Sequence, residues 1–282
     1  MKRILTIQDF SCVGRCSLTV ALPIISAAGV ECCAVPTVLL SNHTGFPSFY
    51  SHDLSDNLLP IGGQLKGLGI DFSAIYTGYI ASAQQLALIE RLIDEFRRDN
   101  TLVLIDPVMG DNGKLYPALV GDFPERMRKL CRKADILVPN ITEACLLTGR
   151  EYSPTLSHEE LRAMLVELHE AYGALVILTG VPSPDEPEKL GACSFDGREF
   201  CGCYTPKEPI SCSGTGDIFS SALLGAYLRG LDLNSAMSVA VRFTYECVRL
   251  TCADPDSRFY GVNFEQALPL YIRLLEESGE NA

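Results

Sequence analysis

The chain has no apolar run approaching the ~20 residues that a membrane-spanning helix needs. Its opening residues, Met1-Lys2-Arg3-Ile4-Leu5, read as the start of a strand rather than as a signal-peptide core with a cleavage site. It also lacks a paired CxxC framework: its twelve cysteines are scattered, several in apolar runs such as Cys32-Cys33. They therefore read as small buried hydrophobes in a reducing, cytoplasmic compartment rather than as disulfides. Histidine is scarce, with four residues spread along the chain, so the Cys201-Gly202-Cys203 segment is not expected to be a zinc site. Positive charge is in deficit. A net charge of −12 argues against nucleic acid or an anionic membrane as a partner, and it means that any phosphate ligand must be held by local donors. No repeat, composition break or linker is visible, so a single domain over residues 1–282 is expected.

What is present is an alternation of strands and helices in a chain that is 47% hydrophobic, enough to bury a full core. Arg3–Ile7 and Glu31–Leu40 read as strands, with a Gly-containing turn after the first. Leu18 to Ala28 reads as a helix that Pro23 must kink or start. Ala74–Thr77 reads as a strand, and Leu54–Leu68 and Ala83–Arg98 as amphipathic helices. Leu102-Val103-Leu104-Ile105, Ile136-Leu137-Val138-Pro139 and Leu175-Val176-Ile177-Leu178 are the apolar runs of buried parallel strands. Two short segments around Asp196-Gly197 predict a hairpin, and helices over 215–229, 234–252 and 264–277 close the chain. Repeated βα units imply an α/β fold: a doubly wound, mostly parallel sheet with an antiparallel hairpin at one edge.

Ligands of open α/β sheets bind beyond the carboxyl ends of the strands, and the conspicuous polar residues of this chain fall there. They are Gln8-Asp9; Ser41-Asn42-His43-Thr44-Gly45; Gly78-Tyr79; Asp106 to Asp111; Asn140 with Glu143; Thr179-Gly180; and Gly214-Thr215-Gly216-Asp217, which opens the helix after the hairpin. A glycine loop at a helix N-terminus points free N–H groups at an anion, and a carboxylate there makes sense if it takes a proton from an attacking hydroxyl. Taken alone, the same tetrapeptide reads as a tight turn with Asp217 capping the helix. Asp106-Pro107 reads equally as a strand stop, and Asn140 with Glu143 as a capping box. The functional alternative makes Asp106, Asn140 and Glu143 oxygen donors around a magnesium–phosphate group, directly or through water. His43 reads as structural, fixing its loop. Tyr79 and Phe46 are core aromatics or a flat wall against an aromatic ligand, and Asp185 to Glu188 reads as a solvated loop.

With these segments in this order, the chain resembles the ribokinase-like small-molecule kinases, and among them the pyridoxal/pyridoxamine kinases. Ile7-Gln8, Ser41-Asn42-His43-Thr44-Gly45, Thr77-Gly78-Tyr79, Asp106-Pro107-Val108-Met109-Gly110, Pro139-Asn140-Ile141-Thr142-Glu143 and Gly214-Thr215-Gly216-Asp217 carry the resemblance over nearly the whole chain. It implies a three-layer αβα fold and transfer of phosphate from ATP to the 5′-hydroxymethyl group of pyridoxal, pyridoxine or pyridoxamine. Asp217 would be the catalytic base, and Gly214, Thr215 and Gly216 the anion hole. Asp106 and Glu143 would act through Mg²⁺, and Asn140 and Thr179 would lie near the nucleotide phosphates. Thr44, Gly45 and Tyr79 would border the pyridine ring. A homodimer is implied as well, and a monovalent cation is left open. The departure is Gln8-Asp9-Phe10, where the family has Gln-Ser-His. Asp9 puts a carboxylate where a ring-contacting hydroxyl is expected, suited to a pyridinium nitrogen, to the aminomethyl group of pyridoxamine or to an aminopyrimidine. A hydroxymethylpyrimidine kinase is therefore the alternative reading, and a non-catalytic protein that binds pyridoxal phosphate or a nucleotide is a second.

Overall fold

The structure is a computed structural model that describes residues 1–119, 121–210, 212–258 and 260–279. The described chain begins with β1 Arg3–Ser11, α1 Leu18–Ala27, β2 Glu31–Leu40 and β3 Ser51–Asp53. It continues through α2 Ser55–Gly67, β4 Ala74–Thr77, α3 Ala83–Phe96, β5 Leu102–Ile105, β6 Gly110–Asp111 and β7 Lys114–Leu115. Next come α4 Phe123–Cys131, β8 Ile136–Leu137, α5 Ile141–Thr148, α6 His158–Tyr172, β9 Leu175–Pro182, β10 Lys189–Phe195 and β11 Phe200–Pro206. The last elements are α7 Thr215–Leu228, α8 Leu233–Ala253 and α9 Phe264–Gly279. The chain divides into two compact units, one of Met1–Leu54 with Thr205–Ala282 and one of Ser55–Tyr204.

In the first unit β1 and β2 pair in parallel from Arg3↔Glu31 onward, and β3 adds antiparallel to β2. Pro36 has no N–H for the ladder, and the register shifts immediately after it, between Gln8 and Phe10. β1 therefore runs four residues past the expected Ile7 and carries Asp9 within its last turn of pleat. Pro23 does not mark the start of α1; it is the sixth residue of the helix, where it removes one i→i−4 hydrogen bond. α7 is apolar on nearly every face and is buried from Ile218 to Ala226. Gly225 lets its neighbours in close: a Cβ there would lie 2.6 Å from the Tyr271 hydroxyl of α9 and 2.9 Å from Ala28. The Tyr271 hydroxyl in turn donates to the Ala222 carbonyl at 3.0 Å.

In the second unit the strands run in the order β11-β10-β9-β8-β5-β4. β4, β5, β8 and β9 are parallel, as their uninterrupted apolar runs predict, and β10 returns antiparallel to β9. The edge hairpin forms where Asp196-Gly197 predicts it, with the Asp196 carboxylate accepting the Arg198 and Glu199 N–H groups at 2.8 Å. β9 differs from expectation. It runs through Thr179-Gly180 to Pro182, because Gly180 adopts φ +65° and is passed over between Ala192↔Thr179 and Gly191↔Val181. That segment is a bulge inside a strand rather than a strand end. A second hairpin, β6–β7, turns at Asn112-Gly113, both at positive φ. Asn-Gly is the standard signal for such a turn, and it lies within the polar stretch after β5.

Candidate active site

In the first unit the glycine loop delivers Asp217 to the first turn of α7. Gly214 is the N-cap residue at φ +82°, and no side chain caps this helix, so the first N–H groups of α7 are left for an incoming acceptor. The capping reading of Asp217 fails here. Its carboxylate turns away from α7 and accepts the Ser17 backbone N–H at 2.8 Å, from a residue two hundred positions upstream. Gly214 is required as well as permitted: a Cβ there would land on the Arg15 carbonyl oxygen. At Gly261, φ +141°, a Cβ would likewise lie 2.5 Å from the Arg15 Cβ. The Arg15 guanidinium donates to Asn263 at 2.8 Å and Glu265 at 2.9 Å, so the whole β1–α1 loop is clamped by the C-terminal segment.

Asp9 is 3% exposed, and its carboxylate accepts the Ser11 hydroxyl at 3.3 Å. Burial raises the Asp9 carboxyl above its ordinary range, against its hydrogen bonds. Burial likewise pushes Asp217 up to about 7; the Ser17 N–H opposes this and the Asp9 charge adds to it. The Cys16 thiol, pushed up to about 12 by burial and by both carboxylates, stays neutral. His43 fixes its loop, as expected. Its Nδ1 accepts the Gly45 N–H at 2.9 Å, its backbone N–H donates to Val13 at 3.0 Å, and its ring fills the space beside Gly14. Burial lowers its basicity. Thr44 and Gly45 are exposed next to it, and Phe46 lies edge-on to His43 and stacks on Tyr260 at 5.5 Å.

In the second unit Asn140 and Glu143 form the capping box. The Asn140 side chain accepts the Glu143 N–H, and the Glu143 carboxylate accepts the Asn140 N–H, both at 2.9 Å. Glu143 does more than cap: its other oxygen accepts the Met109 N–H at 3.0 Å, and burial pushes its carboxyl above the usual range. Asn140 also donates to the Gly110 carbonyl at 2.9 Å, and Thr142 accepts the Gly113 N–H at 2.9 Å. α5 thus begins by holding the β6–β7 hairpin. Thr179 pairs with Asn140 in a parallel bridge. Asp106 is 5% exposed at the end of β5, and it shares with Glu143 an influence on the buried Cys131 thiol. Tyr79, half-buried, follows β4. Among the described residues no group of three or more His, Cys, Asp or Glu is arranged to hold a metal ion. Both Glu143 oxygens are occupied by backbone N–H groups, so a magnesium ion would meet this carboxylate only through water.

Residues 22–259 match the phosphomethylpyrimidine kinase family. The chain belongs to that family. Within it the chain belongs with the pyridoxal kinases of the ribokinase-like superfamily. It is 32% identical to the pig (Sus scrofa) pyridoxal kinase over 79% of this chain and 74% of that one. A Bacteroides thetaiotaomicron protein assigned as a phosphomethylpyrimidine kinase and crystallised with pyridoxal is 36% identical, with a TM-score of 0.91 over 96% of this chain and 95% of that one. The pyridoxal kinase of Lactobacillus plantarum is 29% identical, with a TM-score of 0.89 over 98% and 99% of the two chains. The expected α/β ribokinase-like fold is therefore the fold of this family member. Reading by strand ends missed Ser11, Cys16 and Ser17: the loop after β1 carried only a glycine as a turn signal, and its partner in sequence lies beyond residue 210.

Proposed function

We propose that the chain is an ATP-dependent pyridoxal kinase that phosphorylates the 5′-hydroxymethyl group of pyridoxal, pyridoxine or pyridoxamine, with residues 1–282 working as one kinase domain. The observation that carries this reading is Asp217. It stands at an uncapped helix N-terminus, holds its carboxylate off that helix, and is pushed by burial up to about 7, where a general base is most effective. In this assignment Asp217 accepts the hydroxyl proton. The N–H groups of Gly214, Thr215 and Gly216 hold the charge that develops on the transferring phosphoryl group. Asp106, Asn140, Glu143 and Thr179 serve the nucleotide, and Asp9, Thr44, Gly45 and Tyr79 the ring. Mg²⁺, held from Asp106 and Glu143, would neutralise phosphate charge. A reducing cytoplasm and a homodimer complete the proposal; sedimentation velocity tests the dimer, and a monomeric mass would remove it.

The test is ADP release from Mg-ATP with pyridoxal, pyridoxine, pyridoxamine and hydroxymethylpyrimidine. Turnover with the three pyridines is expected. Turnover with the pyrimidine alone would transfer the protein to the other branch of its family, and ADP from none of them would make it a binding protein. Asp217→Asn is expected to keep ATP binding and to lower kcat by roughly 10²- to 10⁴-fold. A near-normal rate in that variant would end the base assignment.

A further inference from the structure

Arg15 stands in the loop between β1 and α1, and its guanidinium reaches the connection between α8 and α9. Its Nη1 donates to the Asn263 Oδ1 at 2.8 Å and its Nε to the Glu265 carboxylate at 2.9 Å. Its backbone N–H donates to the Tyr260 carbonyl at 3.1 Å. Asn263 is 4% exposed, and its Nδ2 donates to the Asp254 carboxylate at 2.8 Å, which fixes the amide with its oxygen toward Arg15. The Asn263 N–H is held in turn by the Thr251 hydroxyl, in the last turn of α8, at 2.8 Å. At the far end of the same loop, Ser17 donates its N–H to the Asp217 carboxylate at 2.8 Å from φ +49°, ψ −129°. A side-chain-bearing residue rarely adopts that backbone, which persists only where the surroundings over-determine it. The Arg15 bonds supply that constraint two residues upstream, and the Arg15 carbonyl oxygen lies against Gly214, the N-cap of the helix that carries Asp217.

We propose that Arg15 is a positioning residue of the phosphoryl-transfer site: through it, Asn263 and Asp254 fix the loop whose Ser17 N–H orients the Asp217 carboxylate. The proposal rests on the assignment of Asp217 as base. The guanidinium touches no reacting atom in this role, since two of its nitrogens are engaged by Asn263 and Glu265. Without it the loop relaxes toward an ordinary backbone at Ser17, and the N–H moves off the carboxylate. A base displaced by about 1 Å takes the hydroxyl proton poorly. The nucleotide, assigned to Asp106, Asn140, Glu143 and Thr179, is served by none of these bonds. The α8–α9 connection also reaches the ring-side loop, because Tyr260 stacks on Phe46 at 5.5 Å, next to Thr44 and Gly45. The base and the loop assigned to the acceptor are thus both referenced to one short segment. An arginine that only stabilised the fold would lower the melting temperature and leave kcat per folded molecule intact.

The experiment compares the wild type with Arg15→Ala, Asn263→Ala and Glu265→Gln by steady-state kinetics and by the ¹⁵N–¹H NMR resonance of the Ser17 amide. Arg15→Ala keeps the Cβ beside Gly261 and the N–H to Tyr260, so it removes the guanidinium alone. Arg15→Ala and Asn263→Ala are expected to lower kcat by roughly 10- to 100-fold with KM for ATP unchanged. Glu265→Gln is expected to leave kcat within about twofold, since that carboxylate is 51% exposed. Added guanidinium ion is expected to restore part of the kcat of Arg15→Ala, whose vacated site is open to solvent, and none of that of Asn263→Ala. The Ser17 amide proton is expected to move upfield in both variants as its bond to Asp217 lengthens. Should Arg15→Ala melt early, Arg15→Lys, which keeps one donor for Asn263, is expected to fall between it and the wild type in kcat. A normal kcat in Arg15→Ala, a loss confined to KM for ATP, or an unmoved Ser17 amide in both variants would overturn the proposal. The amide is read whether or not any acceptor turns over. Failure of the kinase reading, seen as no ADP from the wild type, is thereby separated from failure of this inference.

Discussion

Asp217 illustrates how one side chain can be costly to the fold and necessary to the chemistry. Burial pushes its carboxyl up to about 7 from an ordinary value of 3.8. The sign follows directly. Between those values the native state holds a proton that the unfolded chain has released, so stability falls as pH rises through this window and is lowest above it. Asp217→Asn is therefore expected to raise the melting temperature at pH 8 and leave it unchanged near pH 3.5. The gain is bounded by the ~4 kcal/mol of the full shift. Paired thermal melts at the two pH values check it, and equal melting at pH 8 would show that the carboxylate is better solvated than its surroundings suggest. This destabilisation is the counterpart of the roughly 10²- to 10⁴-fold loss of kcat expected for the same variant.

Among the elements, the two capping boxes make the sharpest comparison. Asn140-Ile141-Thr142-Glu143 opens α5 and Ser157-His158-Glu159-Glu160 opens α6, with the same reciprocal hydrogen bonds. Glu160 is exposed, and its N–H bonds lower its carboxyl below the ordinary range; Glu143 is buried and raised. Nothing in either tetrapeptide distinguishes them. Ser157→Ala is expected to cost about 1 kcal/mol in urea unfolding and nothing in activity. Asn140→Ala is expected to cost roughly 1–3 kcal/mol and to raise KM for ATP, because it also releases the Gly110 carbonyl and the start of the β6–β7 hairpin. A normal KM for ATP in Asn140→Ala would reduce that residue to a cap. Gly214→Ala is expected to be worse than either, since both its φ of +82° and the Arg15 carbonyl forbid a Cβ. Reduced melting temperature together with lost turnover is the expected result.

For the molecule as a whole, all twelve cysteines are free thiols, five of them with a raised thiol value of about 11 or more or well above the ordinary one through burial. Melting curves with and without reductant are expected to coincide; a drop in reductant would reveal a disulfide that this fold does not contain. The net charge of −12 opposes any anionic ligand at long range. The uncapped N-terminus of α7 offsets that locally, with N–H groups that no residue of the helix uses.

Much of this architecture is written in short-range pattern. The apolar runs of β5, β8 and β9, the amphipathic α3, the Asp196-Gly197 hairpin and the N-terminal glycines of α7 are all legible, because periodicity, turn chemistry and capping act within a few residues. The strand ends that carry Asp106, Asn140 and Asp217 are legible for the same reason. Tertiary structure alone decided that Thr179-Gly180 is a bulge inside β9, that Asp217 is not a cap, and that the Ser17 N–H holds its carboxylate. Those outcomes depend on burial and on donors brought together across two hundred residues, and a hydrogen bond at that separation leaves no periodic trace in the chain.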